Sequence, residues 1–321
     1  MAVTAFETRA QRHRRELHVH CYRMLGSFDE AEDAVQETLL RAWRGRSQVD
    51  SEAGFRPWLY RIATNYCLDV LRRRKRRPQA VGSFAEIPWL QPYPDRLLDE
   101  IPAAAGQEPD AMAVSRETIE LAFIAVVQEL PPRQRAAMLL CDVLGWSARE
   151  TAELLETSLA ATNSALQRAR ATLADRRPAA AGTRATPAPT ELAPRERRLV
   201  QALIEIHEGA DARRAADLLA EDVRVTMPPN PWLYEGREAV LTLFESGTGY
   251  NGPGEWRLVA TAANRQPATA SYLRDWEDTV FRAFKLDVFD MREGLIAQIT
   301  TFGSDLFQAF GLPPTWERPR R

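Results

Sequence analysis

The chain has 321 residues, more than one compact domain usually holds, so two or three separately folded units are expected. Apolar residues make up 45% and charged residues 27%, the proportions of an ordinary globular protein, which excludes a disordered or fibrous chain. The net charge of −2 does not exclude a nucleic-acid partner, because residues 1–77 carry 16 Lys/Arg against 10 Asp/Glu.

Other features of the composition limit the class of protein further. No apolar run approaches the roughly 20 residues that cross a bilayer, and no hydrophobic signal core follows the arginine-rich start, so a cytoplasmic protein is expected. Cys21, Cys67 and Cys141 lie far apart among apolar neighbours, which predicts buried, reduced thiols. His18 and His20 fall on different faces of a helix, and neither a metal nor a cofactor is predicted.

Proline marks the expected boundaries between folded segments. Six prolines fall between Pro78 and Pro109, which favours an extended, proline-rich linker over 78–111. A stretch rich in Pro, Ala and Thr predicts a second, flexible linker over 176–194. The folded segments that remain are 5–77, 112–175 and 195–315.

The first segment is predicted to be helical. Ser27 and Glu30 have the spacing of a capping box, which opens a helix over 28–44. Its inward stripe is predicted to consist of Ala31, Val35, Thr38, Leu39 and Ala42. Its outward side is acidic and carries Asp29, Glu32, Asp33, Gln36 and Glu37.

A further helix of this segment is predicted to begin at Pro57, a residue suited to the first helical position, and to end at Arg77. Its predicted core side consists of Phe55, Leu59, Ile62, Tyr66 and Val70. The side left for solvent or a ligand carries Arg61, Asn65, Asp69 and six consecutive basic residues that begin at Arg72. A basic helix end below a polar helix surface favours contact with phosphates.

The second segment ends in a predicted helix-turn-helix. Ser147 and Glu150 form another capping box and open a short helix, which runs through Leu155. After a turn at 156–158, a second helix is predicted over 159–173. Its inward residues are predicted to be Leu159, Thr162, Leu166 and Ala169. Its outward residues, which suit base edges and phosphates, are Asn163, Ser164, Gln167, Arg168 and Arg170.

Two residues of this helix-turn-helix depart from the usual pattern. Glu156 occupies the turn, where a glycine commonly adopts the left-handed conformation. Thr162 occupies an inward position, where a buried hydroxyl needs a hydrogen-bond partner.

The third segment changes from helical to alternating periodicity. Helices are predicted at 195–208, 212–220 and 237–245. Strands are predicted at 223–227, 256–263, 268–275, 280–290 and 295–302. This order favours an α+β fold in which a curved sheet of mostly antiparallel strands wraps around helices.

Three motifs together resemble the extracytoplasmic-function (ECF) RNA polymerase sigma factors. They are FDEAEDAVQETLLRAW at 28–43, FRPWLYRIATNYCLDVLRRRKRR at 55–77 and LPPRQRAAMLLCDVLGWSARETAELLETSLAATNSALQRARATL at 130–173. The third segment resembles the SnoaL-like polyketide cyclases, a cone-shaped domain that one branch of sigma factors carries at the C-terminus. The resemblance implies a multidomain protein: two all-α sigma domains, region 2 over 5–77 and region 4 over 112–175, and an α+β SnoaL-like domain over 195–315.

The resemblance also implies partners for the acidic helix. The helix would bind the clamp coiled coil in the largest subunit of core RNA polymerase, and the candidate residues are Asp33, Gln36, Glu37 and Leu40. An acidic and amide surface with one apolar residue suits an arginine-bearing partner, whereas an ordinary solvated helix surface is the alternative. An anti-sigma protein is a further candidate partner, and no membrane partner is expected.

Two other surfaces would bind promoter DNA, both double-stranded and melted. The minus-ten candidates are Trp58, Arg61, Asn65, Asp69, Arg72, Arg73 and Arg74, although core packing would also explain Trp58. The minus-thirty-five candidates are Ser147, Arg149, Asn163, Ser164, Gln167, Arg168 and Arg170. Capture of unstacked bases offsets much of the cost of melting, so nucleotide hydrolysis is not required, and the sequence contains no Gly-Lys-Ser/Thr motif.

The role of the third segment stays open at this point. A pocket would be lined by Trp232, Tyr234, Trp256, Tyr272, Trp276 and Asp287, with core packing, ligand sensing and catalysis as alternatives. Catalysis is not expected, and the hypothesis is that the tethered domain regulates the sigma regions. For the whole chain, the alternatives are a helix-turn-helix regulator with a ligand-sensing domain and a cyclase- or isomerase-like enzyme with a DNA-binding appendage.

Overall fold

A computed structural model describes residues 2–48, 51–74, 87–100, 118–176, 193–209, 211–246 and 254–317. The chain divides into two compact units. The first unit contains 1–82 and 100–181, and the second contains 83–99 and 182–321. Much of the two predicted linkers, and the basic residues 75–77, lie outside the described residues.

Twelve α-helices are numbered here in chain order over the described residues. They are α1 (Ala2–Arg12), α2 (Arg14–Leu25), α3 (Phe28–Arg44), α4 (Glu52–Arg74), α5 (Asp95–Leu98), α6 (Leu121–Glu129), α7 (Pro132–Met138), α8 (Ala148–Leu154), α9 (Leu159–Arg176), α10 (Pro194–Glu208), α11 (Ala212–Ala215) and α12 (Arg237–Glu245). Short 3₁₀ turns lie at Arg46–Gln48 and Ala216–Leu218, and a π-helical turn lies at Leu139–Val143. In the part of the chain described above, no helix is both long and apolar enough to cross a membrane.

The helix α3 begins and ends where the sequence predicts. The Ser27 hydroxyl accepts a hydrogen bond from the Glu30 backbone N–H at 3.3 Å, which satisfies one of the unpaired donors at the helix start. The residues of its inward stripe are buried, except that Leu39 is half-buried. This stripe packs α3 against α2 and α4.

The helix α4 begins five residues earlier than predicted. Ser51 is its N-cap, because its hydroxyl accepts a hydrogen bond from the Gly54 N–H at 3.1 Å. Pro57 therefore lies inside the helix, where its missing N–H leaves the Ala53 carbonyl without its usual helical donor. Burial of Phe55 offsets this loss, since a start at Pro57 would leave that ring outside the helix.

The helix-turn-helix consists of α8 and α9. Ser147 and Glu150 form the predicted capping box, and Glu156 adopts the left-handed conformation with φ of 51°. Leu166 and Ala169 are buried as predicted, but the prediction for Leu159 is wrong: its side chain is half exposed, because it lies in the first turn of α9. Thr162 is buried, and its hydroxyl has no hydrogen-bond partner among the described residues.

The second unit is built on one mixed sheet. Its strands are β1 (Leu219–Met227), β2 (Asn230–Glu235), β3 (Gly254–Ala263), β4 (Gln266–Asp275), β5 (Val280–Arg292), β6 (Leu295–Gly303) and β7 (Thr315–Glu317). The order across the sheet is β2-β1-β6-β5-β4-β3, and β7 pairs with β5. The pair β1–β6 is parallel and the other pairs are antiparallel. The strands β2 and β7 were not predicted, and β1 begins at Leu219, inside the predicted helix 212–220.

Part of the predicted linker 78–111 is folded and belongs to the second unit. Residues 87–99 contain a turn and the short helix α5, and the apolar side chains between the prolines are buried: Ile87, Leu90, Tyr93, Leu97 and Leu98. The prediction of an extended connector is therefore wrong for this segment. The physical reason is that the prolines prevent a long helix but leave these apolar side chains free to pack.

Candidate functional surfaces

The outward side of α3 is an acidic surface with an exposed leucine. Asp33 and Gln36 are exposed, Glu37 is half-buried, and 51% of the Leu40 side chain is accessible. Glu37 accepts a hydrogen bond from Arg41 at 2.7 Å, so part of its charge is neutralised within the helix. The structure thus places the four predicted polymerase-binding residues on one helix surface.

The polar side of α4 carries five of the predicted minus-ten residues. At about 100° per residue, Trp58, Arg61, Asn65, Asp69 and Arg72 fall within roughly 80° of the helix circumference. Asn65 is exposed, and Asp69 accepts a hydrogen bond from Arg72 at 2.8 Å. Trp58 is half-buried, with its ring 6.0 Å from that of Phe55, so it packs against the core and keeps part of its side chain accessible.

Arg74 differs from its two neighbours in the sequence. Arg72 and Arg73 are exposed, whereas only 13% of the Arg74 side chain is accessible. Arg74 donates a hydrogen bond to the Leu25 carbonyl at 3.0 Å and is paired with Glu30. Burial lowers its pKa to about 10, so it stays charged at neutral pH. The Arg74 guanidinium thus joins α4 to α2 and α3, whereas Arg72 and Arg73 are exposed members of the predicted minus-ten set.

The outward side of α9 presents the predicted recognition residues. Asn163, Gln167, Arg168 and Arg170 are exposed, and Ser164 is half-buried. Arg170 donates two hydrogen bonds to Asp142, at 2.9 and 2.6 Å, which fixes the orientation of its guanidinium. At the start of α8, Ser147 is engaged in the capping box, and Arg149 pairs with Glu153 at 3.3 Å.

The predicted pocket residues of the second unit are not brought together. Trp276 and Trp232 are 70% and 54% exposed. The Tyr272 hydroxyl donates a hydrogen bond to the Pro313 carbonyl at 3.0 Å, and its ring packs against Phe307. The six predicted residues therefore do not line a single pocket.

The remaining pocket residues lie in the core of the second unit. Trp256 is buried edge-on against His207 of α10, with ring centroids 5.1 Å apart, and Tyr234 packs against the same core. Asp287 accepts a hydrogen bond from Thr301 at 2.6 Å and forms an ion pair with Lys285 at 2.8 Å. Burial lowers the pKa of His207 well below its usual value, so this imidazole is neutral at physiological pH.

A second group of contacts, which the sequence did not predict, holds the segment 87–99. The Tyr93 N–H donates to the Asn264 side-chain oxygen at 2.7 Å, and the Asn264 N–H donates to the Tyr93 carbonyl at 2.9 Å. The Arg265 N–H donates to Asp95 at 2.8 Å. Asn264 and Arg265 both have positive φ and form the tight turn between β3 and β4. This turn binds the backbone of the segment.

Comparisons with known proteins match each part of this architecture. Residues 10–77 match Sigma-70 region 2, residues 120–173 match Sigma-70 region 4, and residues 200–299 match the SnoaL-like domain. A chain with these regions in this order is an RNA polymerase sigma factor with an added C-terminal domain.

Individual relatives define the family more narrowly. ECF RNA polymerase sigma factor SigG of Mycobacterium tuberculosis is 39% identical over 322 residues, which cover 96% of this chain and 84% of SigG. ECF RNA polymerase sigma factor SigM of the same organism is 34% identical over 170 residues, which cover 53% of this chain and 76% of SigM. The chain belongs to the ECF RNA polymerase sigma factors, as its motifs predict.

A solved structure shows the same fold. The crystal structure of the Mycobacterium tuberculosis ECF sigma factor SigJ has a TM-score of 0.61 to this chain at 21% sequence identity. The match covers 97% of this chain and 99% of SigJ. The chain therefore shares its fold with a known extracytoplasmic-function sigma factor.

Proposed function

We propose that the chain binds core RNA polymerase, recognises the minus-ten and minus-thirty-five promoter elements and promotes promoter melting. The observation that carries the proposal is the presence in one sigma factor of three exposed surfaces with different chemistry, on α3, α4 and α9. The proposed activity belongs in the cytoplasm, where the polymerase and the chromosome are.

The surface of α3 suits a basic protein partner. Carboxylates attract a guanidinium, and the exposed Leu40 gives such an interface an apolar contact that can be fully desolvated. The surface of α4 suits unstacked bases and the adjoining phosphates, because it combines a half-buried aromatic side chain at Trp58, an amide at Asn65 and exposed arginines. The surface of α9 suits the major groove.

The double variant Asp33→Arg with Gln36→Ala tests the polymerase surface. It reverses one charge and removes one amide on the exposed side of α3, so binding to core polymerase should weaken by at least about 100-fold. Copurification with core polymerase and promoter-dependent transcription are the measurements. Neither side chain is buried, so the melting temperature should not change.

Asp217→Arg is the matched control, because it reverses an exposed carboxylate outside the sigma regions. It should bind core polymerase as the unaltered chain does. Full core binding by the α3 double variant would show that this surface is not the interface, and failure of the unaltered chain to bind would remove the proposal.

We also propose that the C-terminal domain regulates the sigma regions through the segment 87–99. This segment lies in sequence between region 2 and region 4, yet its backbone is bound by the turn at Asn264 and Arg265. The segment that connects the two DNA-binding regions is thus also bound by the C-terminal domain. A signal that changes the stability of this contact would change the connection between the two regions.

Regulation, and not catalysis, is the role that the core of this domain supports. Asp287 is the acid/base candidate, and its carboxylate is already engaged by Lys285 and Thr301. To act as a base, it would have to give up these partners in a buried environment, which costs the desolvation of a charge.

A further inference from the structure

The accessible side of α9 carries Leu159, Asn163 and Gln167 in a row. Neighbours in this row are four residues apart, so at about 100° per residue all three lie within roughly 80° of the helix circumference, with a rise of about 6 Å between them. Leu159 is 49% exposed, and both amides are exposed. These three side chains, one apolar and two polar, are called the α9 row below.

The two amides of the α9 row are available for binding. Among the residues that the structure describes, neither Asn163 nor Gln167 has a side-chain hydrogen bond. An exposed amide can present its oxygen and its NH₂ group together to one partner. In the major groove, adenine offers the matching pair, because its N7 atom accepts and its N6 amino group donates.

Leu159 suits a different group on the bases. Its side chain cannot form hydrogen bonds, and the C5-methyl group of thymine is the apolar feature of the major groove. A single exposed leucine is ordinary at a protein surface, but Ala160 and Ala161 are exposed as well, so the whole first turn of α9 is apolar. The N-terminal residues of a recognition helix are those that contact base edges. This turn therefore matches thymine better than any polar base edge.

The start of α9 is less suited to a phosphate than to the groove. A helix start can hold a phosphate through its unpaired N–H groups. Here the Ser158 hydroxyl already accepts a hydrogen bond from the Ala161 N–H at 3.1 Å. An apolar first turn with one of its donors engaged offers little to the DNA backbone.

The arginines of α9 do not compete for the same bases. Arginine reads guanine through two hydrogen bonds, to N7 and O6. Arg170 lies within the angular range of the α9 row, but its guanidinium already donates to Asp142 at 2.9 and 2.6 Å. Arg168 lies about 100° farther around the helix than Gln167, a position that suits a phosphate at the edge of the groove. The side of α9 that carries the row is thus without a free guanine reader.

We propose that the α9 row selects A·T base pairs in the minus-thirty-five element, with Leu159 against a thymine methyl group and with Asn163 and Gln167 on adenines. This inference rests on the function proposed above for α9, since it requires that helix to lie in the major groove. A rise of about 6 Å corresponds to about two base pairs at roughly 3.4 Å each. The contacted bases should therefore fall within about five consecutive pairs.

The test begins with a selection by the holoenzyme, formed from the full-length chain and core polymerase. The probes are randomised duplexes long enough to contain both promoter elements, and the selected duplexes should share an A·T-rich upstream element. Replacing one thymine of that element with deoxyuridine removes only the methyl group and should weaken binding about threefold to fivefold. Replacing one adenine with 7-deazaadenine removes only the N7 acceptor and should weaken binding about fivefold.

Variants assign these effects to single side chains. Leu159→Ala should bind the thymine and deoxyuridine duplexes equally, whereas Leu159→Met keeps an apolar side chain and should still prefer thymine. Asn163→Ala should bind the adenine and 7-deazaadenine duplexes equally. Gln201→Ala is the matched control, because it removes an exposed amide whose 3.0 Å hydrogen bond to Glu205 lies within α10, and it should preserve both preferences.

The outcomes distinguish this inference from the function on which it rests. If the holoenzyme selects no common upstream element, the proposed function of α9 fails and this inference fails with it. If a common element is selected but is G·C-rich, or if either modified base is tolerated at every position of it, the inference alone is overturned. Preferences that persist unchanged in Leu159→Ala and Asn163→Ala also overturn it, because the α9 row would then not be their source.

Discussion

Neighbouring arginines at the end of α4 have different surroundings, which gives a prediction at the scale of single residues. Replacing Arg72 and Arg73 with alanine removes two exposed charges, so the slope of log affinity against log salt should fall by up to about 1.8 for DNA binding by the holoenzyme. The free energy of unfolding should change by less than about 0.5 kcal/mol. A forked duplex of arbitrary sequence suffices as the probe, because phosphate contacts are independent of sequence.

Arg74→Ala is the contrasting variant. It removes the bond to the Leu25 carbonyl and leaves Glu30 without its partner, so it should destabilise the first unit by about 1–3 kcal/mol in chemical denaturation. The salt slope should stay that of the unaltered chain. A slope reduced as strongly as in the Arg72/Arg73 variant would return Arg74 to the DNA surface.

Buried histidines make the first unit sensitive to mild acid. Burial, and then Arg23 and Arg56, lower the pKa of His20 to about 3 from its usual 6.5. Between these values the unfolded chain binds a proton that the folded chain does not. The free energy of unfolding should therefore fall as the pH drops below 6.5, by up to about 1.4 kcal/mol per pH unit from this residue.

Calorimetry between pH 5 and 6.5 isolates the histidine contribution. Glu16 and Glu32 also have lowered pKa values, but the stability they contribute is lost only below about pH 4.5. His20→Gln retains a polar group for the Thr64 hydroxyl, which lies 2.9 Å from the His20 ring, and should reduce the slope by about one proton. His18 in the first unit and His207 in the second have lowered pKa values as well, and both should contribute to the slope that remains. An unaltered slope in the variant would show that His20 is protonated in the folded state.

At the scale of elements, the sequence predicted the features that depend on residues close together in the chain, such as helix boundaries and the exposed sides of helices. The start of α3 follows from its Ser27 cap, and the 3.6-residue period predicted the extents of α3 and α12 and the exposed sides of α3 and α9. The start of α4 was missed because Pro57 is a stronger signal in the sequence than the Ser51 cap. β2 was missed because prolines at 228, 229 and 231 resemble a loop.

Contacts between residues that are far apart in the chain could not be predicted from the sequence. Arg74 bonds a carbonyl 49 residues away, and Arg61 bonds a carboxylate 95 residues away. Neither distance follows from periodicity, so the sequence placed both arginines on the DNA surface. The Pro-rich segment was misread for the same reason, since its partner turn at Asn264 is 171 residues downstream.

The turn between β3 and β4 gives a prediction for the proposed regulation. Asn264→Ala removes the acceptor for the Tyr93 N–H and places alanine at φ of 56°, so the contact should weaken by about 1–3 kcal/mol. Hydrogen exchange at Tyr93 should accelerate accordingly, and transcription from a cognate promoter should change. Exposed Glu277→Ala, in the turn between β4 and β5, is the matched control.

At the scale of the whole molecule, truncation after Arg177 has two consequences. It removes the proposed regulatory domain, and it also exposes the apolar side chains of the segment 87–99, which invites aggregation. Asn264→Ala separates the two effects, because it keeps the domain. If transcription is the same for the full chain, the point variant and a monodisperse truncated chain, regulation through this segment is excluded.

During synthesis, the segment 87–99 is made well before the turn that binds it. Asn264 leaves the ribosome 171 residues after Tyr93, which at roughly 5–20 residues per second takes about 9–34 s. Both DNA-binding regions are complete earlier, because α9 ends at Arg176. For an interval during synthesis, every molecule therefore has both sigma regions but does not yet have the C-terminal domain that binds the segment 87–99 between them.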